Sequence, residues 1–281
     1  PTDPVDLNDE QQAFRAAARD FADKELAPHA ARWDAESHFP REAIGKAAEL
    51  GFCGLYTDEG VGGLGMRRLD AAIVFEELAT VDPSTSAFIT IHNMATWLIA
   101  SYGNDGVRAQ WGEAMTSGAK LGSYCLTEPG SGSDAASLKT RAQRDGDDYV
   151  LNGSKAFISG AGATDVLVVM ARTGEDGARG ISAFVVAADA PGISYGRKEE
   201  KMGWNSQPTR GITFTDVRIP AGNLLGKEGE GFKMAMKALD GGRINIAACS
   251  LGAAQGALDA ARRYMGCLLY TSPSPRDKRQ S

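Results

Sequence analysis

The chain has 281 residues, 43% of them hydrophobic and 23% charged, which is enough apolar material for one large or two to three ordinary domains. Its net charge of -6 excludes a general affinity for nucleic acid, which needs a basic face against phosphate, so a polyanionic ligand must be met by local cations. Cys53, Cys125, Cys249 and Cys267 lie far apart with no CxxC pair and no histidine at ligand spacing, which speaks against zinc and reads as buried free thiols in a reducing compartment.

The N-terminus shows no basic stretch followed by an apolar one, so no secretory signal is expected. A chain that opens on Pro1 leaves open what precedes it. Phe14, Ala17, Phe21, Ala22 and Leu26 recur at helical spacing behind an Asn8 cap, predicting a helix that ends near Pro28. A second helix is expected from Pro40 to Gly51, and others over Leu69 to Thr80, Ser84 to Tyr102 and Asp105 to Ser117. The most apolar run, Ala87 to Ala100, is too short for a membrane span and is interrupted by His92 and Asn93. His92 reads as a hydrogen-bonded core histidine, since no second ligand residue stands at metal spacing on that helix. GVGGLG, Gly60 to Gly65, has the form of a dinucleotide fingerprint, but Thr57, Asp58 and Glu59 precede it where a buried strand is required. It is read as a helix-to-helix loop.

From Leu121 the period becomes strand-like. Strands are expected at Tyr149 to Leu151, Asp165 to Arg172, Ile181 to Ala187 and Gly211 to Ile219, with turns at Asp145-Gly146 and Asn152-Gly153. No helical stretch separates them, so the sheet should be mainly antiparallel. Helical spacing returns from Phe232 to Tyr264. It is lost over Gly266 to Ser281, which fits either a disordered tail or, the preferred reading, unrelated sequence appended to a truncated frame.

Between the helical and strand regions lies YCLTEPGSGSDAAS, Tyr124 to Ser137. Its glycines and serines suit a phosphate-bearing ligand, but taken locally an ordinary turn between strands, with Asp134 as an Asx-type stop, is the preferred reading. Together with LNGSKAFISGAG (Leu151 to Gly162), MGWNSQPTRG (Met202 to Gly211) and GGRINIAACSLGAA (Gly241 to Ala254), it resembles the flavin-dependent acyl-CoA dehydrogenases, and among them the branch acting on isobutyryl-CoA. The resemblance runs from about Leu7 to Tyr264. It implies an α+β fold: a helical N-terminal domain (1–119), a middle antiparallel β-barrel-like domain (120–228) and the start of an incomplete C-terminal helical bundle (229–265), with 266–281 a non-native tail.

The resemblance also implies FAD, an acyl-CoA substrate in valine catabolism, and electron-transfer flavoprotein as acceptor. It implies a homotetramer when complete, in the cytoplasm of a bacterium or the mitochondrial matrix of a eukaryote. By it, Tyr124, Cys125, Leu126, Thr127, Glu128, Pro129, Gly130, Ser131, Gly132 and Ser133 line the flavin. Thr127 lies at the ring edge, Gly132 and Ser133 lie near the pyrophosphate, and Ser133 also touches substrate. Phe157, Ile158 and Ser159 form a second wall; many relatives carry Trp where Phe157 stands. Asp240, Gly241, Gly242 and Arg243 match the segment that meets the CoA ester, with the two glycines allowing close ligand approach and Arg243 offering a fork of donors. The residue before that Arg is the catalytic Glu in some branches, but Gly242 is no base. The base is therefore expected on a late helix, none is assigned in this chain, Glu128 is read as structural, and the chain as written is expected to be inactive. Other readings are another short-chain acyl-CoA dehydrogenase, a flavin oxidase on the same scaffold, or a non-catalytic flavin- or CoA-binding fragment.

Overall fold

A computed structural model describes residues 7–271, with side chains through 266. Helix α1 (Asp9–Phe21) starts on a reciprocal cap: Gln11 N–H donates to Asn8 Oδ1 at 2.8 Å, and the Gln11 side chain accepts from Asn8 N–H. It continues as a π-turn over Ala22–Leu26 before α2 (Ala30–Ala35). Helix α3 (Arg41–Glu49) begins directly after Pro40, and α4 spans Arg68–Ala79. Helix α5 (Pro83–Tyr102) opens with Pro83 in its first turn and the Asp82 carboxylate capping Thr85 N–H at 3.0 Å. It is buried around most of its circumference, which is why its sequence lacks an amphipathic stripe. The single helix expected at 105–117 is instead α6 (Asp105–Val107), a π-turn at Arg108–Gly112 and α7 (Glu113–Thr116). The GVGGLG stretch is a connector, as read from sequence. A Cβ on Gly63 would lie 2.1 Å from the Thr57 carbonyl oxygen, so this glycine serves chain crossing.

Eight strands follow: β1 (Gly122–Cys125), β2 (Arg141–Asp145), β3 (Asp148–Ser159), β4 (Val166–Arg172), β5 (Ile181–Ala187), β6 (Ile193–Tyr195), β7 (Thr209–Pro220) and β8 (Leu224–Leu225). They form one mixed, mainly antiparallel sheet in the order β6-β7-β3-β2-β4-β5-β8, with β1 parallel to β4. Asp145-Gly146 makes the expected tight turn between β2 and β3, with Gly146 at φ 62°. Asn152-Gly153 does not turn. It stays within β3, opposite a bulge whose extra residue lies on β7: Asp216 has φ 51° and its N–H donates to Asn152 Oδ1 at 2.9 Å, while Gly153 has φ 145°. A second register shift between Lys155 and Ile158 puts Phe157 at φ 57°.

Helix α8 (Gly231–Thr271) packs on α4 and α5. It passes through the position near Gly266 where the helical period was expected to fail; residues 272–281 of the expected tail lie outside the described residues. Ile244, Leu251, Leu258, Tyr264 and Met265 on α8 are exposed, an apolar stripe uncovered among the described residues. No described helix is long and apolar enough to cross a membrane. Cys53, Cys125 and Cys249 are buried free thiols, as expected, and the Cys267 side chain lies outside the described residues.

Candidate active site

Where β1, α5 and α8 converge, a cavity of about 370 Å³ opens, within the size range of small-molecule sites. Helix α8 contributes Phe232, Met236, Leu239 and Arg243 from one face, α5 contributes Ile91 and Met94, and the chain after β1 contributes Leu126, Thr127, Gly132, Ser133 and Asp134. Phe157, Ile158 and Ser159 close the far side. The loop and the β3 end expected to act together therefore do meet, joined by Arg243.

Phe157 is the most unusual member. The bulge in β3 holds it in the left-handed region, strained for a residue with a side chain, and leaves the residue 66% exposed. An open aromatic face is costly to maintain unless something flat covers it. The hydroxyls of Thr127, Ser133 and Ser159, and the N–H groups of Gly132 and Ser133, have no partner among the described residues, and a Cβ on Gly132 would meet nothing within 4 Å. Tyr124 lines the cavity with its buried Oη unpartnered, and burial pushes its phenol well above the ordinary value, so it is a neutral donor. An aromatic wall, free hydroxyls and free N–H groups at a glycine turn fit a flavin ring with its phosphate-bearing tail.

Half of the expected loop turns elsewhere. Glu128 and Ser131 exchange backbone hydrogen bonds of 2.9 and 3.1 Å across Pro129 and Gly130, and Ser131 Oγ donates to the Asp134 carbonyl. That closes a small turn, so Glu128, Pro129 and Gly130 face a separate hollow of about 270 Å³ with Lys139 and Thr140. Cys125, fully buried, points into the sheet core beside Leu167 and Val169. Cys125, Glu128, Pro129, Gly130 and Ser131 thus do not line the central cavity, because strand alternation and the tight turn direct them away.

Glu128 is tied into the fold by a closed set of contacts. Its carboxylate takes Lys155 Nζ at 2.8 Å and the N–H groups of Lys139 and Thr140 at 2.6 and 3.0 Å. Burial pushes its pKa up, but the Lys155 charge and these N–H bonds outweigh burial and hold it below the usual carboxylate range. Lys155 went unnoticed in the sequence. Its parity with Tyr149 and Leu151 in β3 puts a lysine on the inward face, which calls for a buried acid.

On α8, Gly241 and Gly242 lie outside the cavity lining. A Cβ on Gly241 would lie 2.5 Å from the Arg68 guanidinium, which stacks over Tyr56 at 3.5 Å, and one on Gly242 would touch Met94 Sδ at 3.4 Å. These glycines admit protein side chains. Asp240 lies outside the lining and pairs with Arg243 at 2.9 Å on an exposed surface. Asp134 is the one carboxylate lining the cavity among the described residues; its side chain accepts from Ser137 Oγ and caps no backbone N–H, so the expected Asx-type stop does not form. The α8 set at 232, 236, 239 and 243 went unassigned, although its i, i+4, i+7 spacing marks one helix face.

Residues 8–119 match the acyl-CoA dehydrogenase N-terminal domain, 123–217 the middle domain and 229–267 the C-terminal domain. Mitochondrial isobutyryl-CoA dehydrogenase of Dictyostelium discoideum is 56% identical over 266 residues, 94% of this chain and 64% of that protein. Butyryl-CoA dehydrogenase from Megasphaera elsdenii superposes with a TM-score of 0.88 at 39% identity, covering 93% of this chain and 70% of that one. A glutaryl-CoA dehydrogenase from Mycobacterium smegmatis in complex with FADH2 gives 0.86 at 29% identity, covering 92% and 66%. The chain spans 64% of the length of the isobutyryl-CoA dehydrogenase it matches. On these matches and this architecture, the chain belongs to the acyl-CoA dehydrogenase family.

Proposed function

We propose that the cavity holds the flavin ring of FAD beside a short branched acyl-CoA, isobutyryl-CoA or a close analogue, in an α,β-dehydrogenation yielding the 2,3-enoyl ester. The observation that carries this reading is the exposed, backbone-strained Phe157 facing a cavity rimmed by Thr127, Ser133 and Ser159 and otherwise walled by Ile91, Met94, Phe232, Met236 and Leu239. FAD, when bound, supplies the acceptor for the β-hydride. The chain's own residues bind and orient. Phe157 and Ile158 cover one ring face, and Thr127 and Ser159 offer hydroxyls to its polar edge. Gly132 and Ser133 present N–H groups to the pyrophosphate. The apolar α5 and α8 side chains exclude water from the acyl group, and Arg243 at the rim meets an oxygen or phosphate of the CoA ester. The 56% identity to isobutyryl-CoA dehydrogenase supports a branched C4 acyl group. Valine catabolism, electron-transfer flavoprotein as acceptor and a homotetramer in the complete protein belong to the same reading, in the bacterial cytoplasm or the mitochondrial matrix according to source.

A flavin- and CoA-binding piece without turnover is the second reading. Gly242 offers no base, and Asp134 is engaged by Ser137, so the α-proton has no evident acceptor among the described residues. The test is direct: titrate the chain with FAD, then with isobutyryl-, butyryl- and isovaleryl-CoA, following flavin absorbance and fluorescence. Tightest binding is expected for isobutyryl-CoA. Failure to bind FAD, or preference for the straight chain, would overturn the corresponding part.

A further inference from the structure

Helix α5, the end of α7 and the start of β1 meet at a histidine outside the cavity lining. His92 is fully buried, and its Nδ1 accepts from Gly122 N–H at 3.0 Å while its Nε2 lies 2.9 Å from the Met115 carbonyl oxygen. A backbone N–H can only donate and a carbonyl can only accept, so the two contacts fix one neutral tautomer with the proton on Nε2. Thr96 is 3.3 Å from Nε2, and its hydroxyl donates to the His92 carbonyl at 2.8 Å. Gly122 opens β1, a four-residue strand that pairs with β4 alone and leads into Tyr124, Leu126 and Thr127 of the cavity wall.

We propose that His92 is a positioning residue for this wall: as the neutral Nε2–H tautomer it fastens β1 to α5 and α7, and taking up a proton unfastens it, so ligand retention is acid-sensitive. An imidazolium carries N–H at both nitrogens, which would set Nδ1–H against Gly122 N–H, donor against donor.

The surroundings offer the extra charge no relief. The charged groups that act on His92 are Arg41, at the start of α3, and Asp165, before β4. These two form an ion pair with each other, and Lys120 stands 3.6 Å from Asp165. The titratable groups of β1, Tyr124 and Cys125, are kept neutral by burial, as is Cys53 in the connector after α3. Burial pushes His92 down to about 4 from an unfolded value near 6.5. The folded value is the lower one, so the contribution is complete above about pH 6.5 and is lost as pH falls through 4.

Two variants separate the contacts. Asn places its Oδ1 where Nδ1 was and keeps the Gly122 bond; Gln places its amide nitrogen where Nε2–H was and keeps only the Met115 bond. At pH 7, His92→Asn is expected to retain FAD within about threefold of wild type, while His92→Gln, with a buried Gly122 N–H unpartnered, loses roughly tenfold. Urea unfolding at pH 7 and pH 5 supplies the second reading. The unfolding constant should rise in wild type by up to about tenfold per pH unit more than in His92→Asn, one proton being involved. Equal effects of Asn and Gln on FAD retention, or the same pH dependence in wild type and His92→Asn, would overturn the proposal. The FAD arm rests on the proposed function and the unfolding arm does not. Absence of FAD binding in every protein with an intact pH difference would therefore count against the flavin reading and leave the histidine's fastening role supported.

Discussion

Lys155 and Glu128 form an ion pair closed off from solvent, Nζ to Oε1 at 2.8 Å with the two side chains 0% and 7% exposed, next to the turn that leads into the cavity-lining loop. Lys155 Nζ also donates to the Leu126 carbonyl at 3.0 Å, so one lysine holds both the acid and the backbone of the cavity wall. Removing one partner from such a pair leaves a buried charge uncompensated. Glu128→Gln is expected to destabilise the chain by about 3 to 5 kcal/mol in chemical denaturation. The carboxylate's pKa is depressed on folding, so its contribution is present above the unfolded value near 4.3 and fades as pH falls through the folded one. A Glu128→Gln variant of wild-type stability would show that the pair is not what holds the turn.

Arg243 and Ser159 sit at different parts of the cavity, and their loss should separate. Arg243→Ala removes the forked cation at the rim and is expected to weaken acyl-CoA binding roughly ten- to a hundredfold, the usual range of about 1.5 to 3 kcal/mol for a charge-assisted contact. Part of that is offset in the free protein, where Asp240 already pairs with Arg243 on an exposed surface. Ser159→Ala should instead weaken FAD and leave CoA-ester affinity nearly unchanged. Titration of both variants with both ligands checks this; release of FAD by Arg243→Ala with substrate affinity intact would reverse the assignment.

Tyr124 carries a buried hydroxyl with no partner, and such a group costs about 1 to 3 kcal/mol of desolvation. Tyr124→Phe keeps the ring packed with Met94 and Leu98 and removes the orphan oxygen, so the free chain should become more stable by roughly 1 kcal/mol. A drop in melting temperature would mean that the hydroxyl is satisfied in solution.

Helical spacing and strand alternation made the coarse architecture legible because both are short-range signals, whereas the two segments that meet at the cavity were picked out only by family resemblance. What the sequence hid depends on long-range or two-sided burial. Strand β1 is buried on both faces and shows no alternation, and β2 is mostly exposed and charged, so neither was given a range from the sequence. Asn152-Gly153 has turn chemistry, but the Asn152 to Asp216 side-chain bonds keep it in the strand opposite a bulge on β7. Gly241 shows the same limit: a glycine beside an arginine motif suggested ligand approach, and only the fold reveals Arg68, 173 positions earlier, in the space.

The last prediction concerns turnover by the chain as written. Dehydrogenation needs a carboxylate at the α-carbon while the hydride leaves the β-carbon, and the cavity supplies one candidate, Asp134, already accepting from Ser137. Glu128 cannot substitute, since its oxygens are taken by Lys155, Lys139 and Thr140 on the other side of the turn. The position before Arg243 is Gly242, whose Cβ-free face meets Met94. General-base assistance is typically worth about 10² to 10⁴-fold, so without it isobutyryl-CoA should bind FAD-loaded chain without bleaching the flavin above background. Anaerobic mixing followed at the flavin absorbance band measures this. Rapid substrate-dependent bleaching would place a base among these residues, and Asp134→Asn, which keeps an acceptor for Ser137 and removes the charge, would then identify it.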